Sequence, residues 1–493
     1  MAGAQKKNAI LSVSDKEGLD KIGNFLLSQE FDLYCTSGTK RFLESKGVSC
    51  ESVEKLTGSP EILQGRVKTL SSSLMAGILA VERDDPDLKK HGYLPIDLVY
   101  VEPYDFVGNY LGGSTDLAEF IDIGGITMLR AAAKNFQRVI TIPGKSSMEE
   151  VMREMKGGEV SLELRRSLAG IAFRLTSMND YVISQWLDGR GEVFTVGGKE
   201  YVKLRYGENP HQSARSYALY PPFFEILKVG KEVSFNNIID AWSAWELVLR
   251  LGQGSSAVVK HASPCGAAIG GNSIERAIES DPTSAYGGIL AHNGIITANN
   301  ANIVKDRFLE VIIAAGYEEN VLEDLGRKKN LRLLRGRSEV YSVPDIRTAG
   351  NVLLVQDWNR KSVLNVEIKS GEPTSANLDD VRFGWEVVKS IKSNAIALIR
   401  DGWLLSSGGG QPNRVDSVKM AIGRAKDMGR LDEFSVLISD GFFPFVDSVE
   451  FIKESGLKTI AAPLGSIRDK EVLDYSAKNG LTFIEIKERG FRH

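Results

Sequence analysis

Short apolar runs alternate with amphipathic segments along the first part of the chain. "NAILSVS" reads as a buried strand, because its apolar residues run together without helical spacing. Leu19, Ile22, Phe25 and Leu26 then form a helical stripe, and "FDLYCTSG" is a second strand ending in a turn. "IDLVYVEPY" and "QRVITIP" repeat the strand pattern. Strands alternating with helices predict an α/β fold with a parallel sheet covered on both faces. Such sheets bind ligands at the carboxyl ends of their strands. Here those ends are the polar stretches Ser12-Val-Ser-Asp-Lys16 and Thr36-Ser-Gly-Thr-Lys40.

The glycine-rich stretch 188–200, "DGRGEVFTVGGKE", lacks helical periodicity and marks a domain boundary. Beyond it the chain is again α/β. "SSAVVK", "LEVIIAA", "SNAIALI", "FSVLIS", "KTIAAP" and "LTFIEI" are strand-like, and "LDDVRFGWEVVKSIK" and "RVDSVKMAIGRAKDM" are helix-like. Periodicity alone does not sort these strands into parallel and antiparallel, and no tandem repeat is evident.

At 493 residues the chain has room for several domains, and 42% hydrophobic with 25% charged residues is an ordinary globular composition. A formal net charge of -3 gives no field that argues for nucleic acid or an anionic membrane. No apolar run approaches the ~18 residues of a spanning helix, and "MAGAQKKNAILSVSDK" is too weakly apolar for a secretory signal. Cys35, Cys50 and Cys265 are odd in number and widely spaced, which fits a reducing cytoplasm rather than a disulfide framework.

Two turns, "SVSDK" and "TSGTK", each follow a strand and precede a helix, where N–H groups, hydroxyls and a lysine cradle phosphate. Capping by Ser14, Asp15 and Thr39 is the alternative for either turn alone; two equivalent turns favour phosphate. Lys68, Tyr104, Asp122 and Lys134 follow, and they could share proton transfer if the fold gathers them. For Asp122 the pattern alone favours a helix cap. Among five histidines, His261 stands beside Lys260 in "VVKHASPCG". A neighbouring ammonium favours the neutral imidazole, a base near pH 7. Pro264-Cys265 resembles part of a zinc-deaminase signature, but Gly-Ala-Ala follows and no later cysteine exists, so zinc is not expected.

In order along the chain stand "LSVSDKEGL", "LTGSPEILQGRVKTL", "IDIGGITMLRAAAKN", "LRYGENPHQ", "FNNIIDAWSAWELV", "KHASPCGAA", "DPTSAYGGILAHN", "RKKNLRLL", "SNAIALIRDG", "GGGQPNRVDS", "SDGFFPFVDSVE" and "RGFRH". Together they resemble the bifunctional purine-biosynthesis family that joins 5-aminoimidazole-4-carboxamide ribonucleotide (AICAR) formyltransferase to inosine monophosphate (IMP) cyclohydrolase. The resemblance implies a methylglyoxal-synthase-like cyclohydrolase domain over 1–193 and a transformylase over 194–493, made of two cytidine-deaminase-like units. It implies a cytoplasmic homodimer with transformylase sites at the subunit interface and no catalytic metal. The partners it implies are small nucleotide and folate substrates, with 10-formyltetrahydrofolate or a related formylated pterin as co-substrate.

By the same resemblance His261 takes the proton from the 5-amino group of AICAR, while Lys260 and Asn394 hold the developing oxyanion. Arg205, Tyr206, Asn237, Lys329 and Arg489 match nucleotide-holding positions, and Arg414 and Phe443 lie near the folate and carboxamide region. Lys68, Tyr104, Asp122 and Lys134 match the cyclohydrolase's catalytic set, and Ser12, Ser14, Lys16, Ser37, Gly38 and Thr39 match its phosphate cradle. Two stretches depart from the family. "KTLHPxxHGGILA" reads "KTLSSSLMAGILA", and "NLYPF" is replaced by "EPYDF". A transformylase with a silent first domain is therefore the alternative reading. A nucleotide-sensing module is the rival of another class, against which Lys260, His261 and Asn394 together argue.

Overall fold

The computed structural model describes residues 6–187, 196–218, 222–338, 344–360 and 365–493. The chain forms two compact units, Met1–Gly197 and Gly198–His493. The boundary expected at 193/194 lies outside the described residues.

Five parallel strands carry the first unit: β1 (Lys7–Val13), β2 (Phe31–Cys35), β3 (Glu51–Ser52), β4 (Leu98–Glu102) and β5 (Ile140–Ile142), in the order β3-β2-β1-β4-β5. The pleat sends alternate side chains to opposite faces. Ala9 and Leu11 of β1 join Leu98 and Tyr100 of β4 in one apolar cluster, whereas Ile10 joins Val99 and Val101 in another. Covering both faces requires the unbroken apolar runs seen in the sequence. Helix α1 (Leu19–Ser28) buries Leu19, Ile22 and Leu26, the expected stripe. Helix α2 (Ser37–Ser45) follows β2. The strand order reverses between β1 and β4, which is where a sheet of this kind opens a crevice at its carboxyl edge.

The second unit is organised around a 12-stranded sheet in which one strand order occurs twice. In the first half the order is Phe224–Val229, Arg332–Gly336, Val311–Tyr317, Ile289–Ile296, Ser256–Lys260, Ser263–Ala268. In the second it is Val366–Ser370, Thr482–Ile486, Thr459–Pro463, Val436–Ser439, Ile396–Arg400, Trp403–Gly408. Parallel and antiparallel pairings follow the same sequence in both, and the halves join where Ala268 pairs with Trp403. The helices Phe235–Leu251 and Ser375–Val388 also correspond. Each opens with a capping box, Ser234 with Asn237 and Thr374 with Asn377, and each buries a tryptophan, Trp245 and Trp385. Asp240 matches Asp380, and Lys260-His261-Ala262 matches Arg400-Asp401-Gly402, with no insertion between. The repeat escapes a search by residue identity because little beyond the caps, this aspartate and the tryptophan recurs.

Candidate functional site

The crevice of the first unit is a cavity of 740 Å³ lined by Ser12, Ser14, Lys16, Ser37, Gly38, Thr39, Lys68, Tyr104 and Asp122. The two turns are tied together by their hydroxyls. Val13 N donates to Thr39 Oγ1 at 3.1 Å, and Thr36 Oγ1 donates to Ser12 Oγ at 3.4 Å. Neither α1 nor α2 has a side-chain cap. Capping therefore does not explain these residues: Ser14 Oγ instead donates to the Pro103 carbonyl at 3.1 Å. The uncapped start of α2 keeps N–H groups for an anion. Lys16 Nζ donates to the Val13 carbonyl and to Thr39 Oγ1. Burial holds its ammonium below the ordinary lysine value, a cost that a bound phosphate would offset.

In the same cavity, Lys68 Nζ donates to Tyr104 Oη at 3.4 Å. Asp122 Oδ1 accepts from Gly125 N, the second residue of the helix Gly124–Lys134, at 2.7 Å while the residue lines the cavity. Burial raises the Asp122 carboxyl above the usual aspartate value, opposed by the Gly125 N–H and by Lys68. A Cβ on Gly124 would run into the Thr69 hydroxyl, so only glycine lets this helix start approach. Lys134 is exposed at the other end of that helix, about 15 Å along its axis from Gly124, and does not line the cavity. Glu102 lines the cavity without having been expected there. Its two oxygens accept from Asp15 N at 3.3 Å and Lys145 N at 3.0 Å, fastening the loops that follow β1 and β5.

In the second unit Lys260 and His261 line a cavity of 420 Å³ with Asp281, Ser284 and Arg424. His261 and Ala262 form the two-residue turn between antiparallel strands and have φ of 55° and 56°. A tight hairpin twisted in the native sense needs this left-handed pair. Asp240 accepts from both turn amides, His261 N at 3.2 Å and Ala262 N at 2.6 Å. Lys260 Nζ donates to the Tyr286 carbonyl at 2.8 Å. Cys265 lines the same cavity, but its thiol donates to the Val258 carbonyl and burial pushes it up to about 12, so it is a neutral thiol near pH 7. Among the described residues no three His, Cys, Asp or Glu side chains gather as metal ligands do.

Asn394 is not in that cavity. It lines a separate one of 370 Å³ with Arg414, whose Nη2 donates to Asn394 Oδ1 at 2.8 Å and whose Nη1 pairs with buried Asp440. Phe443 is 2% exposed within an apolar cluster, and its neighbours Phe442 and Phe445 face the cavity. Arg205, Tyr206, Asn237, Lys329 and Arg489 line neither cavity. Asn237 completes the cap at Ser234 and donates to Glu310 at 2.9 Å. Arg205 stacks on Tyr206, and Arg489 on Phe491.

A family model described as the AICARFT/IMPCHase bienzyme matches residues 132–424, and one described as an MGS-like domain matches residues 18–127. The chain belongs to the AICARFT/IMPCHase bienzyme family. Similar relatives carry the description bifunctional purine biosynthesis protein PurH. The one from Aquifex aeolicus (strain VF5) is 41% identical over 98% of this chain and 100% of its own. That from Clostridium botulinum (strain Kyoto / Type A2) is 38% identical over 99% and 100%. A solved structure described as ForH is 34% identical, covers 37% of this chain and 100% of its own, and has a TM-score of 0.32. The fold is accordingly an MGS-like domain followed by the bienzyme family's mixed α/β unit.

The residues at which the sequence departs from the expected family pattern lie mostly off the cavity. Ser71 caps the helix Ser72–Leu79 through Leu74 N at 3.2 Å, and Met75 packs on an apolar cluster. Asp105 caps the helix Phe106–Leu111 through Gly108 N at 2.8 Å. Glu102 alone among them faces the cavity.

Proposed function

We propose that the chain formylates the 5-amino group of AICAR in its second unit and closes formyl-AICAR to IMP in its first. The observation that carries this reading is the match to bifunctional relatives over 98% of the chain, which spans both units. In ring closure the hydroxyl cradle and Lys16 hold the phosphate. Lys68, Tyr104 and Asp122 face the carboxamide and formyl groups, moving protons and polarising the carbonyl as the carboxamide nitrogen attacks and water leaves. Because Ser71 and Met75 stand off the cavity, the altered loop leaves this set in place.

In formyl transfer His261 removes the amine proton, and Lys260 and Asn394 hold the oxyanion as formyl leaves the folate nitrogen. The amine is conjugated with the imidazole ring and weakly nucleophilic, so base and oxyanion support are both required. One-carbon supply by 10-formyltetrahydrofolate is the reading we adopt. A homodimer reconciles the separate placement of His261 and Asn394, a second copy completing each site with the phosphate-holding residues that line neither cavity. The ribbon Asp345–Ala349/Val352–Gln356 supports it: Val352, Leu353, Leu354 and Val355 are 44–54% exposed on an isolated hairpin, a form of little stability alone. No described helix is long and apolar enough to cross a membrane, and we place the enzyme in the cytoplasm.

One preparation supplied with AICAR and 10-formyltetrahydrofolate tests the reading. IMP should accumulate without added metal; formyl-AICAR accumulating instead would leave a transformylase with a silent first domain.

A further inference from the structure

The turn that presents His261 is held by a carboxylate that takes no part in the chemistry described above. Asp240 lies one and a half turns into the helix Phe235–Leu251, whose start is fixed by the Ser234 capping box. Both of its oxygens are used by the amides of His261 and Ala262, at 3.2 and 2.6 Å. Those two residues carry side chains in the left-handed region, a conformation that L residues resist and that the hairpin and the Asp240 contact hold together. Burial opposes the Asp240 charge and the two amides favour it, so the carboxylate and the turn stabilise each other. The second half of the unit repeats the device. Asp380 accepts from Asp401 N at 3.0 Å and Gly402 N at 2.7 Å, but its turn carries no histidine.

We propose that Asp240 is a positioning residue for formyl transfer, fixing the His261 imidazole in the 420 Å³ cavity by clamping both amides of its turn. Without the clamp the turn relaxes toward ordinary backbone angles and the ring leaves its working position. The residues expected to hold the nucleotide line neither cavity, so the defect falls on turnover rather than on AICAR affinity. The inference rests on His261 being the base.

Full-length Asp240→Ala, Asp380→Ala and His261→Ala test it, with kcat and KM for AICAR in formyl transfer and the cyclisation rate of formyl-AICAR measured on each. Asp240→Ala should lower kcat about 100-fold, the scale of an ångström's misplacement, with KM and cyclisation within about threefold of wild type. Asp380→Ala should change kcat by less than about threefold. The double variant Asp240→Ala/Ala262→Gly, in which glycine removes part of the turn's strain, should regain part of the lost kcat. A kcat for Asp240→Ala near wild type, or equal losses in Asp240→Ala and Asp380→Ala, would overturn the proposal. If Asp240→Ala fails to bind AICAR, Asp240→Asn, which keeps one acceptor, replaces it; an intermediate kcat supports the clamp and an unchanged one refutes it. Full activity in His261→Ala would overturn the base assignment itself, a separate failure.

Discussion

The two halves of the second unit put different chemistry on the same support. In each, a capped helix aims an aspartate at a two-residue turn, and the first strand of the hairpin ends in a cation. In the first half the cation is Lys260 and the turn His261-Ala262, beside a cavity of 420 Å³. In the second, Arg400 pairs with Asp432 and stacks on Phe434, and the turn is Asp401-Gly402. Gly402 takes its φ of 63° freely, whereas Ala262 takes 56° with a side chain. The same scaffold supports either turn, and the proposed formyl transfer rests on the residues that the first turn carries.

The strongest way to break this contrast is to exchange the turn residues. His261→Asp should lower formyl transfer by about 100-fold or more, the range of general-base removal, while Asp401→His should alter it less than threefold, about the noise of a surface change. Comparable losses from both would mean that the halves act together. The first unit supplies an independent control. Asp122→Asn should cut cyclisation by about 100-fold and leave formyl transfer unchanged. Because burial raises the Asp122 pKa, wild-type cyclisation should fall on the acid side at a pH above that of an ordinary aspartate, as the carboxylate gains its proton. The Asn variant should lack that limb. The same shift makes the charged form a cost to stability, full above the folded value and lost as pH falls from there to the ordinary aspartate value.

Smaller effects sharpen the contrast through stability. Gly402→Ala should cost about 1–2 kcal/mol from the left-handed backbone, and its Cβ would stand 2.5 Å from Ile269 Cγ1. Ala262→Gly should stabilise by up to about 1 kcal/mol, read as opposite shifts of the second unit's thermal transition. Arg400→Ala should cost no more than about 1 kcal/mol, since its pair with Asp432 is partly exposed.

Much of this arrangement is legible in the residues themselves. The continuous apolar runs of β1 and β4 announce a parallel sheet, and the hydroxyl turns after β1 and β2 announce the cavity. Lys68, Tyr104 and Asp122 needed the resemblance to be gathered, because spacing along a chain says nothing of which loops meet. Lys134 shows the same limit: it shares a helix with the site's glycines and sits at the helix's other end. Phe443 belongs to an aromatic cluster in which the chain alone does not say which ring faces inward. Asp240 was invisible, one acid among many on an amphipathic helix, until the turn it holds was seen.

The most direct test of the account is calorimetric AICAR affinity and single-turnover formyl transfer on one preparation of His261→Ala, with formyl-AICAR cyclisation as the control. The account predicts affinity within about threefold of wild type, formyl transfer reduced by about 100-fold or more, and cyclisation intact. Parallel loss of affinity and rate would make His261 a binding residue and contradict the assignment of formyl transfer to its turn.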